Sequence, residues 1–192
     1  MNILIIHEID WINKVIFEPH HISELLSLKG HEVFVIDCRD ANIKKLKNAI
    51  KTEEIKDFHR VYDNSSITLI RPPSISIRGL NRISNFLFCK KIIYETITKN
   101  KIDVILLYGT ATNGIQTIHI AEKLHIPVFY RLLDVTHSLV KIPIIRQLTK
   151  KNEATVIQKA TKVLPIIPDL QRYAIEMGAI KENTSVDRKS VV

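Results

Sequence analysis

The chain has 192 residues, 45% of them apolar and 25% charged, with a formal net charge of +8. That length supports one sizeable core and is short for two comfortable domains. The basic balance fits an anionic membrane or a phosphorylated ligand; with no arginine-rich run and no aromatic stacking motif, nucleic acid is not expected.

Residues 2–6, Asn-Ile-Leu-Ile-Ile, read as a fully buried strand. A polar loop, residues 7–13, leads to a helix predicted over residues 15–29, with Ile22, Leu25, Leu26 and Leu28 on its buried side. Gly30 suits the left-handed position that ends a helix. Residues 32–36 give a second strand, completing a strand–helix–strand unit of the right-handed parallel kind. Residues 40–57 are lysine-rich and predict a surface helix. Residues 67–71 form a short strand that Pro72-Pro73 ends. Residues 80–100 predict a long helix whose stripe is Leu80, Ile83, Leu87, Tyr94 and Ile97. Strands at 104–107, 128–130 and 162–166 follow, each leading into a helix: 113–124, 138–159 and 168–177. Pro168 fits a first helical position and Gly178 an exit. The alternation predicts an α/β fold, Rossmann-like, with a parallel sheet covered by helices on both faces.

Ligands of such sheets bind beyond the carboxyl ends of the strands. Three junctions are therefore the candidate working edge: Tyr108 to Asn113, Arg131 to His137, and Pro168 to Asp169. The first loop, His7-Glu8-Ile9-Asp10-Trp11-Ile12-Asn13, lacks the glycines that let a backbone approach a pyrophosphate, so NAD or FAD bound in the Rossmann manner is not expected. Its carboxylates and amide suit hydroxyl groups, and an exposed Trp11 would cover an apolar sugar face. Alternatively, His7 and Glu8 simply end a strand. In the second loop Thr110 and Asn113 suit turn and capping roles, and Tyr108 suits ligand contact. The third places a guanidinium, a carboxylate and an imidazole within seven residues. Arg131 is suited to binding phosphate or to locking Asp134. Asp134 is suited to orienting His137 or to accepting a sugar hydroxyl. His137 is suited to acid–base work or charge stabilisation. His20, His21 and the other histidines show no metal spacing, and no metal is expected. Cys38 and Cys89 are far apart, which points to a reducing compartment. The absence of a basic leader or a long apolar stretch points to a cytoplasmic protein.

The segments MNILIIHEIDW, SLKGHEVFVID, DVILLYGTATNG to IPVFYRLLDVTHSLV, and KATKVLPIIPDLQRYAIEMGA resemble the N-terminal domain of a family 4 glycosyltransferase. The resemblance spans residues 1–186. It implies one half of a GT-B architecture, two Rossmann-like domains facing across a cleft. Such enzymes transfer a sugar from a nucleotide-sugar with retention of configuration and without a metal. The nucleotide-sugar is a substrate, so no cofactor is implied. By resemblance the N-domain holds a glycan or lipid-linked acceptor, the missing C-domain holds the donor, and basic surfaces dock on the inner face of a membrane. On this reading His137 and Asp134 are the catalytic candidates. The acceptor would meet His7, Glu8, Asp10, Trp11, Asn13, Tyr108, Thr110, Asn113 and Arg131. The chain departs from the family in three places. Its first loop is not glycine-rich, Leu132 and Leu133 stand where a histidine is common, and Ile167 stands where a capping serine is usual.

Residues 187–192, Asp-Arg-Lys-Ser-Val-Val, can be encoded by GAT CGG AAG AGC GTC GTG, which looks like a common sequencing adapter. The expectation is a natural frame cut at that point, with the donor domain missing, and a fragment inactive alone. The competing expectations are a stand-alone Rossmann-like binding module and a fragment of a sugar-nucleotide epimerase.

Overall fold

Asn2–Ile6 form strand β1, and the continuous apolar run suits a parallel strand buried on both faces. The computed structural model describes residues 1–40, 51–75 and 80–187, the side chains of residues 80–82 excepted. The chain divides into two units, Met1–Val104 and Ile105–Val192.

In the first unit β1 pairs in parallel with β2 (Glu32–Ile36), Asn2 opposite Glu32 through Ile6 opposite Ile36. Strand β2 pairs in parallel with a strand at Ile67–Arg71, and that strand pairs antiparallel with one at Glu53–Phe58. In chain order these are β3 (Glu53–Phe58) and β4 (Ile67–Arg71), so the order within the unit is β3-β4-β2-β1. Two helices complete it, α1 (Glu18–Leu28) and α2 (Leu80–Lys99).

Strand β3 corrects the helix expected over residues 40–57, of which 41–50 lie outside the described residues. Glu-Glu-Ile-Lys-Asp-Phe has helix-forming composition, but an edge strand with mostly exposed side chains accepts charged residues. A register shift between Ile55 and Phe58 holds Asp57 at φ 52°, a conformation aspartate tolerates better than most residues.

Helix α1 starts at Glu18 rather than residue 15, because Pro19 has no N–H to donate and is tolerated only in a first turn. Its buried residues are Pro19, His20, Ser23 and Glu24, while Leu25 and Leu28 are exposed. This inverts the expected face. The reason lies in Glu24, whose carboxylate accepts hydrogen bonds from the amides of Arg60 (2.7 Å), Val61 (2.9 Å) and Tyr62 (2.8 Å) and from Ser65 Oγ (2.8 Å). Burial alone would raise the Glu24 pKa, but these donors hold it below its usual value. Glu24→Ala is therefore expected to destabilise the protein by about 2–3 kcal/mol, since charge-assisted bonds to a buried group are lost together. Chemical denaturation at pH 7 measures this, and a loss below about 0.5 kcal/mol would refute the anchoring role.

The α2 stripe is also corrected. Ile83, Leu87 and Tyr94 are exposed, whereas Cys89, Ile92, Ile93, Thr96 and Ile97 are buried. Apolar residues occur nearly all round this helix, so spacing does not single out one face.

In the second unit β5 (Val104–Leu107), β6 (Val128–Leu132) and β7 (Lys162–Pro165) run parallel in that order. The helices are α3 (Gly114–Leu124), α4 (Pro143–Lys159) and α5 (Pro168–Glu176). Helix α3 packs on α4, and α5 on β7. The helix expected from residue 138 begins instead at Pro143, after a 3-10 turn at Thr136–Leu139. Proline at the start of α4 gives up only an N–H that would be unbonded there. Strand β6 runs to Leu132 because Arg131 and Leu132 still pair with Leu164 and Pro165. The glycine exits hold: Gly30 sits at φ 83° and Gly178 at φ 99°. Beyond α5 the chain returns beside β7, with the Ser185 amide donating to Val163 O (3.2 Å) and the Asp187 amide to Pro165 O (2.9 Å). Residues 188–192 of the expected foreign tail lie outside the described residues. The fold is α/β and Rossmann-like, mostly parallel, with β3 as its antiparallel strand.

Candidate functional site

In the first unit the β1–α1 loop is organised from within. Asp10 is buried and takes Arg71 Nη2 at 2.9 Å, together with the amides of Ile12 (3.2 Å), Asn13 (3.1 Å) and Asp40 (3.1 Å). Arg71 Nε reaches Asp37 Oδ2 at 3.0 Å, and the Trp11 amide donates to the same oxygen at 3.2 Å. One guanidinium thus bridges two buried carboxylates. Burial by itself would raise Asp10, but bonds from Asn13 and Asp40 and the charge of Arg71 hold it below its usual value. Asp37 goes the other way: burial pushes it up to about 6, with Asp10 adding to the rise against the pull of Arg71.

Trp11 corrects the expected exposed platform. Its side chain is wholly buried and lies against the His20 ring, centroids 4.3 Å apart. Its carbonyl accepts from His20 Nε2 and from Arg60 Nη1. An indole folded back from the loop against the His20 ring gains more from the core than from solvent. His7 is half-buried against Phe17, and burial lowers its imidazole to about 3, with a smaller push from His20. It is therefore neutral at physiological pH. Glu8 is half-buried and Asn13 exposed.

In the second unit Tyr108, Thr110 and Asn113 are buried. Asn113 occupies the N-cap of α3 without a side-chain capping bond, and its carbonyl accepts from the Thr117 amide and hydroxyl. Gly114 fits closely there: a Cβ would stand 3.0 Å from Val156 Cγ2, so the valine would have to shift. Arg131 is buried, and its Nη1 meets Asp187 Oδ2 at 2.7 Å and the Asp187 carbonyl at 3.1 Å. The carboxylate holding Arg131 thus includes Asp187, whereas Asp134 is exposed.

His137 is the best-defined chemical group of the unit. Its Nδ1 lies 2.8 Å from Glu153 Oε2, and its side chain is 15% exposed while that of Glu153 is fully buried. Glu153 also accepts from the Thr136 amide (2.9 Å), the His137 amide (3.4 Å) and Tyr173 Oη (3.0 Å). An ionised carboxylate only accepts, so Nδ1 carries the hydrogen facing it and Nε2 is left as the basic nitrogen. Burial, then the neighbouring Glu153 charge, raises the Tyr173 phenol well above its usual value. It stays protonated and donates.

Glu153 and Tyr173 were not among the residues singled out in the sequence. A signal for Glu153 was present, since it shares the face of α4 that carries buried Thr149, Val156 and Ile157. A carboxylate on such a face needs donors. Among the described residues there is no cluster of three or more His, Cys, Asp or Glu side chains able to hold a metal.

No family model and no curated protein matches the chain. Solved structures do. The UDP-GlcNAc 2-epimerase of Methanocaldococcus jannaschii matches with a TM-score of 0.52 at 14% identity, over 97% of this chain and 45% of that one. HepE from Anabaena, in complex with UDP, matches at 0.58 and 14%, over 98% and 44%. The UDP-GlcNAc 2-epimerase of Neisseria meningitidis bound to UDP-GlcNAc matches at 0.51 and 12%, over 97% and 46%. At these identities the likeness is one of fold. The chain spans less than half the length of these structures, as one Rossmann-like half of a GT-B protein does.

Proposed function

We propose that the chain is one half of a two-domain enzyme acting on a nucleotide-sugar, and that it is the acceptor-side half of a retaining glycosyltransferase. The observation that carries this reading is His137 held by Glu153 just after β6, a partly exposed imidazole with its tautomer fixed by a buried carboxylate. In transfer, the acceptor oxygen forms a bond to the anomeric carbon on the face from which the diphosphate departs, so that configuration is retained as that bond breaks. The acceptor proton passes to His137 Nε2, and the nucleoside diphosphate leaves. Asp134, exposed in the same loop, would accept a hydrogen bond from a hydroxyl of the acceptor, a glycan or lipid-linked saccharide. Nothing in the resemblance calls for a cofactor or metal.

A second reading, half of a sugar-nucleotide epimerase, is favoured by the fold likeness to two UDP-GlcNAc 2-epimerases. There the same imidazole would handle a proton on the sugar carbon being inverted. The two readings separate by product. The protein from the complete reading frame is incubated with UDP-sugars, with and without saccharide acceptors, and followed by NMR. A glycoside of retained configuration is the expected product. Inversion at a ring carbon without acceptor supports the epimerase, and no turnover of any nucleotide-sugar overturns both.

A further inference from the structure

We propose that the β1–α1 loop is closed by a latch at His20, and that a proton added to Nδ1 of this imidazole releases the segment from Trp11 to Phe17. His20 is fully buried in the first turn of α1. Its Nε2 lies 3.1 Å from the Trp11 carbonyl, and a carbonyl only accepts, so Nε2 carries the hydrogen. Nδ1 is then a bare lone pair, and it accepts from the Phe17 amide at 3.4 Å. One neutral tautomer thus ties both ends of the segment to α1. The ring also packs on the rings of Trp11 and Phe17, with centroids 4.3 Å and 5.2 Å away.

An imidazolium does not fit these surroundings. A hydrogen on Nδ1 would face the hydrogen of the Phe17 amide, and the N-terminus of α1 disfavours a cation in its first turn. Arg60 Nη1 stands 3.4 Å from Nε2 and adds a like charge. The same nitrogen donates to the carbonyls of Trp11 and Lys14, so repelling it loosens the segment a second time. Burial, above all, lowers the His20 pKa, and Arg60 adds to the fall; the Trp11 carbonyl and Glu24 pull the other way. The Glu24 carboxylate is already committed to residues 60–65. The closed loop is therefore favoured in full above 6.5, the ordinary histidine value, and loses ground as pH falls below it. Two other groups touch the segment: His7, against Phe17, stays neutral down to about 3, and Asp37, which accepts from the Trp11 amide, titrates at about 6. His21 meets Tyr62 Oη at 2.9 Å, and a hydroxyl that can donate or accept tolerates either charge state there. The segment lies beyond the carboxyl end of β1, on the edge where parallel sheets bind ligands, and exposes Asn13, Lys14, Val15 and Ile16. Among the described residues nothing accepts from the buried Trp11 Nε1, so opening gives that donor water.

The latch is independent of which reaction the protein performs, and its test reads no turnover. Trp11 is the one tryptophan of the chain, so its fluorescence reports the loop directly. As pH falls from 7 to about 4, its emission should shift to the red while far-UV circular dichroism holds steady, because only the loop opens. His20→Asn keeps an acceptor for the Phe17 amide and takes up no proton, so it should lose the transition. Arg60→Met removes the repelling charge and two tethers, so it should move the transition to higher pH. Nitrogen-15 NMR of the parent needs no variant: Nδ1 should be the unprotonated ring nitrogen of His20 at pH 7 and gain its proton as the emission shifts. A transition that survives in His20→Asn would belong to Asp37 and overturn the proposal. So would no emission change down to about pH 4, ellipticity lost together with the emission shift, an Arg60→Met transition at equal or lower pH, or a hydrogen found on Nδ1 at pH 7.

Discussion

Replacing Arg71 by methionine is expected to destabilise the protein by about 3–5 kcal/mol at neutral pH, because two buried carboxylates lose the guanidinium that bridges them. Asp10 keeps three amide donors and Asp37 one, which is too little to balance two charges held out of water. Arg71→Lys should recover only part of the loss, since an ammonium cannot address both carboxylates as a guanidinium does. The sign of the pH dependence follows from Asp37. Its folded pKa of about 6 lies above the ordinary value of 3.8, so its contribution to stability is full below 3.8 and is lost as pH rises through 6. Without Arg71 the carboxylates protonate still more readily. The gap between parent and Arg71→Met should therefore narrow as pH falls from 7 to 5. Urea unfolding at the two pH values measures this. A deficit under about 1 kcal/mol at pH 7 would mean that the cluster behaves like a surface pair.

The buried strands were legible in the sequence because a parallel strand covered on both faces is a continuous apolar run, and β1, β2, β4 and β5 have the predicted limits. Proline and glycine marked helix limits for stereochemical reasons, but Pro19 and Pro143 were passed over and cost two helix starts. Strand β3 was not legible. It borrows its hydrogen bonds from β4 and keeps charged side chains in solvent, so nothing in Glu53–Phe58 itself distinguishes it from a surface helix. The face of α1 was misread for a related reason. Glu24 is buried because residues 60–65 supply its donors, and those donors are remote in sequence, while His20 on the same face lies against Trp11.

The candidate site was half legible. The loop after β6 stood out because Arg131, Asp134 and His137 crowd its few residues. Their partners did not, since Glu153, Tyr173 and Asp187 are 16 to 56 positions away from the groups they hold. Proximity in sequence suggested an Asp134–His137 pair, whereas the carboxylate one helix later makes the contact.

That contact sets the second large effect. In the nucleotide-sugar assay, His137→Ala is expected to lower kcat by about 10²–10⁴-fold with KM little changed, as for the loss of a group that moves a proton in the transition state. Added imidazole should restore part of the rate if the vacated position is open to solvent, as a side chain 15% exposed implies. Glu153 acts through His137 and is a positioning residue. Glu153→Gln puts an amide donor in place of one carboxylate oxygen, where Oε1 now takes the Thr136 amide and Oε2 takes the His137 amide, His137 Nδ1 and Tyr173 Oη. Either the amide nitrogen faces the imidazole, which then carries its hydrogen on Nε2 and loses its basic nitrogen there, or the carbonyl oxygen does and the imidazole loses its charged partner. Turnover should fall with Glu153→Gln, and the double variant should be no slower than His137→Ala alone, because the carboxylate has nothing left to orient. Additive losses would assign Glu153 a separate role in folding or binding. Undiminished turnover in His137→Ala would remove the imidazole from the chemistry altogether.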